Sequence, residues 1–156
     1  WLKEYKNLLI SRSFSKAYGL AGLRIGYGVA APELIEVMNR VRQPFNVNHF
    51  AQIAAIASLD DENFIEESRS INNLGMKQLT NAFKALNLKF IPSYANFVSF
   101  KLEDEKIAMM YYHHLLNNGV IVRPIANYDL PEFLRVSVGL QRENEIFIKY
   151  LSNCNI

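Results

Sequence analysis

The sequence predicts an α/β chain that passes into an α+β lobe, and three observations carry that reading. A loop of serines, lysine, glycines and arginine lies between two strand-like runs, Asn7–Ile10 and Arg24–Ala30. A helical pattern follows from Asp61 to about Asn87, where Ile65, Ile71, Leu74, Leu79, Phe83 and Leu86 form one apolar stripe. Beyond it, short strands alternate with helices, the order found where helices pack on a small sheet.

Each element has a local reason. After the strand Ile25–Ala30, Pro32 opens a helix to about Arg42, because proline's fixed φ and missing N–H suit a first helical turn. Leu34, Ile35, Val37, Met38 and Val41 give that helix its packed face. Residues 43–48 break the pattern with a proline and two asparagines, and an Ala-rich helix resumes over Phe50–Leu59. Asn46 and Asn48 read as caps or turn residues. His49 has no second ligand at metal spacing and reads as structural. Gly75 is a weak point in the long helix, since glycine is a poor helix former.

In the last third, Leu88–Ile91 and Asn96–Leu102 read as strands around the turn Pro92-Ser93-Tyr94. Asp104 caps a helix to Asn118, and Gly119 stops it. Val120–Arg123 and Phe133–Val138 are the next strands, and a helix from about Arg142 to Leu151 closes the lobe. His113 and His114 are adjacent on a helix and point about 100° apart, so they do not share one metal.

Composition narrows the class. The 156 residues are 50% apolar and 21% charged, enough for one globular core or slightly more. The 17 basic and 15 acidic residues are scattered, giving +2 with no run that suggests a nucleic-acid or membrane footprint, so small molecules are the expected partners. Cys154 is the single cysteine, which excludes an intrachain disulfide and suits a reducing cytoplasm. No apolar run reaches transmembrane length.

The loop after the first strand carries the chemistry. Small residues let backbone N–H groups approach a ligand, Ser13 and Ser15 donate hydroxyls, and Arg24 offers a planar fork, a set suited to phosphate. Lys16 is then either a point charge on that phosphate or an amine that forms a Schiff base with an aldehyde. The first reading needs G-x-x-x-x-G-K-[ST], which the serines and phenylalanine before Lys16 do not supply. Gly26-x-Gly28 lacks the third glycine and the βαβ start of a dinucleotide site.

The run Ser13-Phe14-Ser15-Lys16-Ala17-Tyr18-Gly19-Leu20-Ala21-Gly22-Leu23-Arg24-Ile25-Gly26-Tyr27 resembles the lysine segment of the fold-type I pyridoxal-phosphate aminotransferases, and among them the histidinol-phosphate branch. The resemblance implies that Lys16 binds pyridoxal 5'-phosphate covalently and serves as the proton-moving base. It implies too that Ser13, Ser15 and Arg24 hold the cofactor phosphate, and that residues 43–48 approach the active site and the dimer partner. That gives Asn46 and Asn48 a place near the substrate as the alternative to capping. Arg135, in Leu134-Arg135-Val136-Ser137, looks like the arginine that grips the substrate carboxylate. Arg123, in Val122-Arg123-Pro124, looks like the one that helps hold the substrate's own phosphate, and Asn96 in Ala95-Asn96-Phe97 matches a further substrate-site motif.

The implied reaction is transamination between histidinol phosphate and imidazole-acetol phosphate, with glutamate and 2-oxoglutarate as the other pair, in a cytoplasmic homodimer. An aromatic-amino-acid aminotransferase, an amino-acid-phosphate decarboxylase and a folding or dimer-contact module are the alternatives. The implied organisation is the end of the large cofactor domain over 1–60, with part of a mixed sheet, a linking helix over 61–87 and a small α+β domain over 88–156. The chain opens at Trp1 without a methionine and matches the family's later part, so it is expected to be a fragment inactive alone.

Overall fold

A computed structural model describes residues 1–154. The chain divides into two compact units, Trp1–Arg69 and Ser70 onward, the boundary falling inside a helix.

The first unit begins with a two-stranded antiparallel ribbon, β1 (Leu9–Ser13) on β2 (Gly26–Ala30), registered so that Ser11 faces Gly28 and Ser13 faces Gly26. β1 therefore runs three residues further than the expected Asn7–Ile10, because pairing with β2 extends order into the serines that propensity assigns to the loop. Helix α1 (Pro32–Val41) starts on its proline, as read from the sequence. Helix α2 (His49–Leu59) starts on Asn48, whose side-chain oxygen accepts the Ala51 N–H at 2.8 Å. Asn48 is thus the cap that the sequence suggests.

Helix α3 (Glu62–Ala85) crosses the unit boundary. The second unit then builds a four-stranded antiparallel sheet in the order β3 (Phe90–Ile91), β4 (Phe97–Lys101), β6 (Leu130–Ser137), β5 (Arg123–Ile125). Helix α4 (Glu105–Asn117) connects β4 to β5, and α5 (Gln141–Ser152) follows β6. Asp104 caps α4 by accepting the Ile107 N–H at 2.8 Å, and Glu143 accepts the Leu140 N–H at the start of α5.

Alternation along the strands sorts the sheet into two faces. Val98, Phe100, Leu134 and Val136 turn inward and join Leu79, Phe83, Leu115, Phe147 and Leu151 in one core. Phe83 stacks on Phe100 at 4.9 Å between ring centres, and Phe147 meets both edge-on. The opposite face carries Phe97, Ser99, Arg135 and Arg123.

Several expectations change: β3 begins at Phe90 rather than Leu88, and β6 at Leu130 rather than Phe133. The strand expected over Val120–Arg123 begins only at Arg123, because Val120 donates its N–H to the Leu115 carbonyl and completes the end of α4 through Gly119 at φ +77°. Gly75 is a buried close-approach site: an added Cβ would lie 2.5 Å from Val138 Cγ1 and 2.9 Å from Asn144 Nδ2. Asn144, itself buried, holds that junction by accepting the Gly139 N–H and donating to the Gly139 carbonyl and to Gln78 Oε1.

Candidate active site

The loop joining β1 to β2 is built around Phe14, buried against Tyr18 and Tyr27 with ring centres 4.8 and 5.9 Å away. Its N–H donates to the Ile25 carbonyl and its own carbonyl accepts the Leu20 N–H, so the chain on either side of the ring is fixed. Between those bonds a tight turn closes from the Gly19 N–H to the Lys16 carbonyl at 2.9 Å, with Gly19 at φ +69°. Lys16 is left exposed at this turn.

Ser13 Oγ accepts the Ser15 N–H at 3.0 Å, which leaves the Ser13 hydroxyl proton free to donate elsewhere. Arg24 follows a 3₁₀ turn (Ala21–Leu23) in the left-handed region, φ +56°. One of its guanidinium N–H groups donates to the Ala21 carbonyl at 2.6 Å, which leaves the rest of the fork available. Asn48 Nδ2 donates to the Leu23 carbonyl at 3.2 Å, tying the start of α2 to this turn.

Charge is one-sided here. No Asp or Glu occurs between Glu4 and Glu33, whereas Arg12, Lys16 and Arg24 all do. Among the described residues one ion pair stands, Lys101 Nζ to Glu132 Oε1 at 3.3 Å, and it involves none of these three cations. Two serine hydroxyls, a guanidinium and a primary amine in a loop of unneutralised positive charge make a donor set that fits a phosphate ester bearing an aldehyde. Pyridoxal phosphate therefore fits the residues present.

Asn96, Arg123 and Arg135 lie in the second unit. Arg135 on β6 is registered with Arg123 on β5 and with Ser99 on β4, so both arginines share the sheet face opposite the core. The Arg135 guanidinium carbon sits 4.7 Å from the centre of the Phe97 ring. Asn96 precedes β4, and its carbonyl accepts the Val138 N–H at 2.8 Å, which puts it at the end of β6 that follows Arg135. Neither arginine has a carboxylate partner among the described residues. A cleft of about 440 Å³ lies elsewhere in this unit, against Lys89, Lys101 and Tyr111, and holds none of these residues.

Sequence reasoning missed Phe14 as the loop's anchor, Phe97 beneath Arg135, and the bond from Asn48 to the Arg24 turn. The first carried a signal, an apolar residue between two serines. The other two depend on strand register and on a contact between residues 25 positions apart.

A family model described as aminotransferase class I and II matches residues 1–151. The chain is 56% identical over 151 residues to a histidinol-phosphate aminotransferase of Methylobacillus flagellatus, covering 97% of this chain and 40% of that relative. It is 51% identical to histidinol-phosphate aminotransferase 2 of Ralstonia nicotianae, covering 98% of this chain and 41% of that relative. Among solved structures it resembles the histidinol-phosphate aminotransferase of Sinorhizobium meliloti in complex with pyridoxal-5'-phosphate, at a TM-score of 0.87 and 27% identity over 96% of this chain and 41% of that one. The chain thus spans about two fifths of the length of the relatives it matches, with the fold of the fold-type I pyridoxal-phosphate enzymes. With the match extending over residues 1–151, the chain belongs to the class I and II aminotransferase family.

Proposed function

We propose that this chain carries the lysine and most of the phosphate cradle of a pyridoxal-phosphate-dependent histidinol-phosphate aminotransferase. The observation that carries the reading is the β1–β2 loop, where Ser13, Ser15, Lys16 and Arg24 gather on one acid-free stretch. The substrate branch rests on relatives of that name at 56% and 51% identity.

In this reading Ser13, Ser15 and Arg24 hold the cofactor phosphate, and Lys16 bonds to the cofactor aldehyde. When bound, pyridoxal phosphate supplies an electron sink for the negative charge that develops at the substrate Cα. Lys16 Nζ, released from the aldehyde when the substrate amine takes its place, would take the proton from that carbon. Arg135 pairs with the substrate α-carboxylate through its fork, Arg123 binds the phosphate of the amino substrate, and Asn96 helps orient the substrate beside them. Substrate amino acids and 2-oxo acids are the small-molecule partners, with histidinol phosphate and glutamate as the amino donors. Residues 1–60 are taken as the end of the large cofactor domain, 61–87 as the linking helix and 88–156 as the small domain. The whole protein is taken to be a cytoplasmic homodimer.

The test is borohydride trapping of the whole protein with pyridoxal phosphate, followed by peptide mapping. Label confined to Lys16 is expected. Label spread over many lysines, or none, overturns the reading.

A further inference from the structure

We infer that Asn48 is a positioning residue for Arg24: it holds the Leu23–Arg24 peptide and so aims the guanidinium at the phosphate. The inference rests on the cofactor reading above. Arg24 has φ +56° and ψ +47°, a conformation that costs a side-chain-bearing residue energy and persists where the surroundings fix it. Relief would come by a flip of the Leu23–Arg24 peptide, which changes φ of Arg24 and swings the Leu23 carbonyl away. That carbonyl is the group Asn48 Nδ2 holds at 3.2 Å.

The other end of the same side chain is tied to a rigid element. Asn48 Oδ1 accepts the Ala51 N–H at 2.8 Å in the first turn of α2. The amide orientation follows from its two partners, since an N–H needs the oxygen and a carbonyl needs the NH2. Only a side chain with an acceptor and a donor in one plane does both. Ser or Asp would cap α2 equally well, but neither would reach the Leu23 carbonyl with an amide N–H, and Asp would set one oxygen against another. Within its own turn Arg24 is bonded to the Ala21 carbonyl, so Asn48 supplies the link from outside the turn.

The experiment separates the cap from the link. In the whole protein, Asn48→Ser and Asn48→Asp keep the cap and remove the donor. Their cofactor-free forms are titrated with pyridoxal phosphate and with pyridoxal, which lacks the phosphate, and their thermal midpoints are compared with the parent. The expected result is about three- to tenfold weaker binding of pyridoxal phosphate, with pyridoxal affinity and midpoint unchanged. Parental affinity for pyridoxal phosphate in both variants overturns the inference. So does equal loss for both ligands, or a midpoint that falls with the affinity. Arg24→Ala is the control: if it binds pyridoxal phosphate as the parent does, the cofactor reading itself fails and the inference with it. If Arg24→Ala weakens binding and the Asn48 variants do not, only the inference falls.

Discussion

The guanidinium of Arg135 lies over the ring of Phe97, 4.7 Å from its centre, while Arg123 stands opposite on the neighbouring strand. A ring face attracts the cation without taking up its N–H groups, so the fork stays free for a carboxylate. Replacing Arg135 by Lys keeps the charge and loses the two parallel bonds that the proposed carboxylate role requires. In the whole protein, Arg135→Lys is expected to lower kcat/KM by about 10- to 100-fold, the worth of one charged hydrogen bond or two. Arg123→Ala is expected to raise KM for a phosphate-bearing amino substrate and leave that for glutamate near the parent's. Equal losses for both substrates would remove the phosphate role from Arg123.

Lys16 is exposed, and the bond at its turn is made by its backbone carbonyl, so Lys16→Ala removes the proposed base and little else. Turnover in the whole protein is expected to disappear while the thermal midpoint stays with the parent, as surface substitutions usually cost within about 0.5 kcal/mol. Ordinary turnover in the variant would falsify the assignment of the base.

What was legible in the sequence was chemistry written locally. Ser13, Ser15, Lys16 and Arg24 fall within twelve consecutive positions, so the proposed cofactor site can be read from one stretch of sequence. Asp104 was legible as a cap for the same reason, since its partner is the N–H three residues on. Register was not. The pairing of Arg123 with Arg135 depends on β5 beginning at Arg123, and the run Val120-Ile121-Val122 has the apolar, β-branched look of a strand although it lies between the end of α4, to which the Val120 N–H is bonded, and β5. Gly75 reads from the sequence as a weak helix former, and the close approach that it permits is not legible there because Val138 and Asn144 lie more than sixty positions away.

Gly75→Ala sets two effects against each other. Helix propensity favours alanine by about 1 kcal/mol. Against it, the new methyl meets Val138 Cγ1 and Asn144 Nδ2 inside contact distance, and overpacking of that kind costs about 1–3 kcal/mol. The expected outcome is net destabilisation in denaturant unfolding. Asn144→Ala reaches the same junction from the other side, leaving the Gly139 N–H and carbonyl without their partner, and is expected to cost about 2–3 kcal/mol. A stabilised Gly75→Ala would mean that the β6–α5 turn yields easily.

Alkaline pH is expected to weaken the second unit. Burial pushes the Cys154 thiol up from its ordinary value, and burial, then the neighbouring Cys154, raises the Tyr111 hydroxyl, which donates to the Cys154 carbonyl. Both groups favour the protonated form in the folded chain. Their contribution is therefore full below the unfolded thiol value of about 8.5 and is lost as pH rises through the raised folded values. Thermal melts from neutral pH to above 9 should show the midpoint falling, and Cys154→Ala should flatten the onset. An unchanged slope would place the loss elsewhere.

The two units are expected to differ in how readily they open. In the second, twelve buried residues from three helices, two strands and the segments beside them form one core, with Phe83, Phe100 and Phe147 in mutual contact. Opening any part of it exposes several of these at once, and Phe83→Ala alone is expected to cost about 3–5 kcal/mol. In the first, the buried apolar residues are Phe14, Ala51 and Ala55, among the described residues, while Val41, Phe45 and Phe50 are 82%, 100% and 76% exposed. A two-stranded ribbon with little burial is marginal by itself. Native-state hydrogen exchange on this 156-residue chain should therefore give slow amides in β4, β6 and the core turns of α3, α4 and α5, exchanging together. The amides of β1 and β2 should exchange much faster, although their ladder is complete. Equal protection in the ribbon and in β4–β6 would mean that its hydrogen bonds are held by more than the burial seen here, and the ranking of the two units would be wrong.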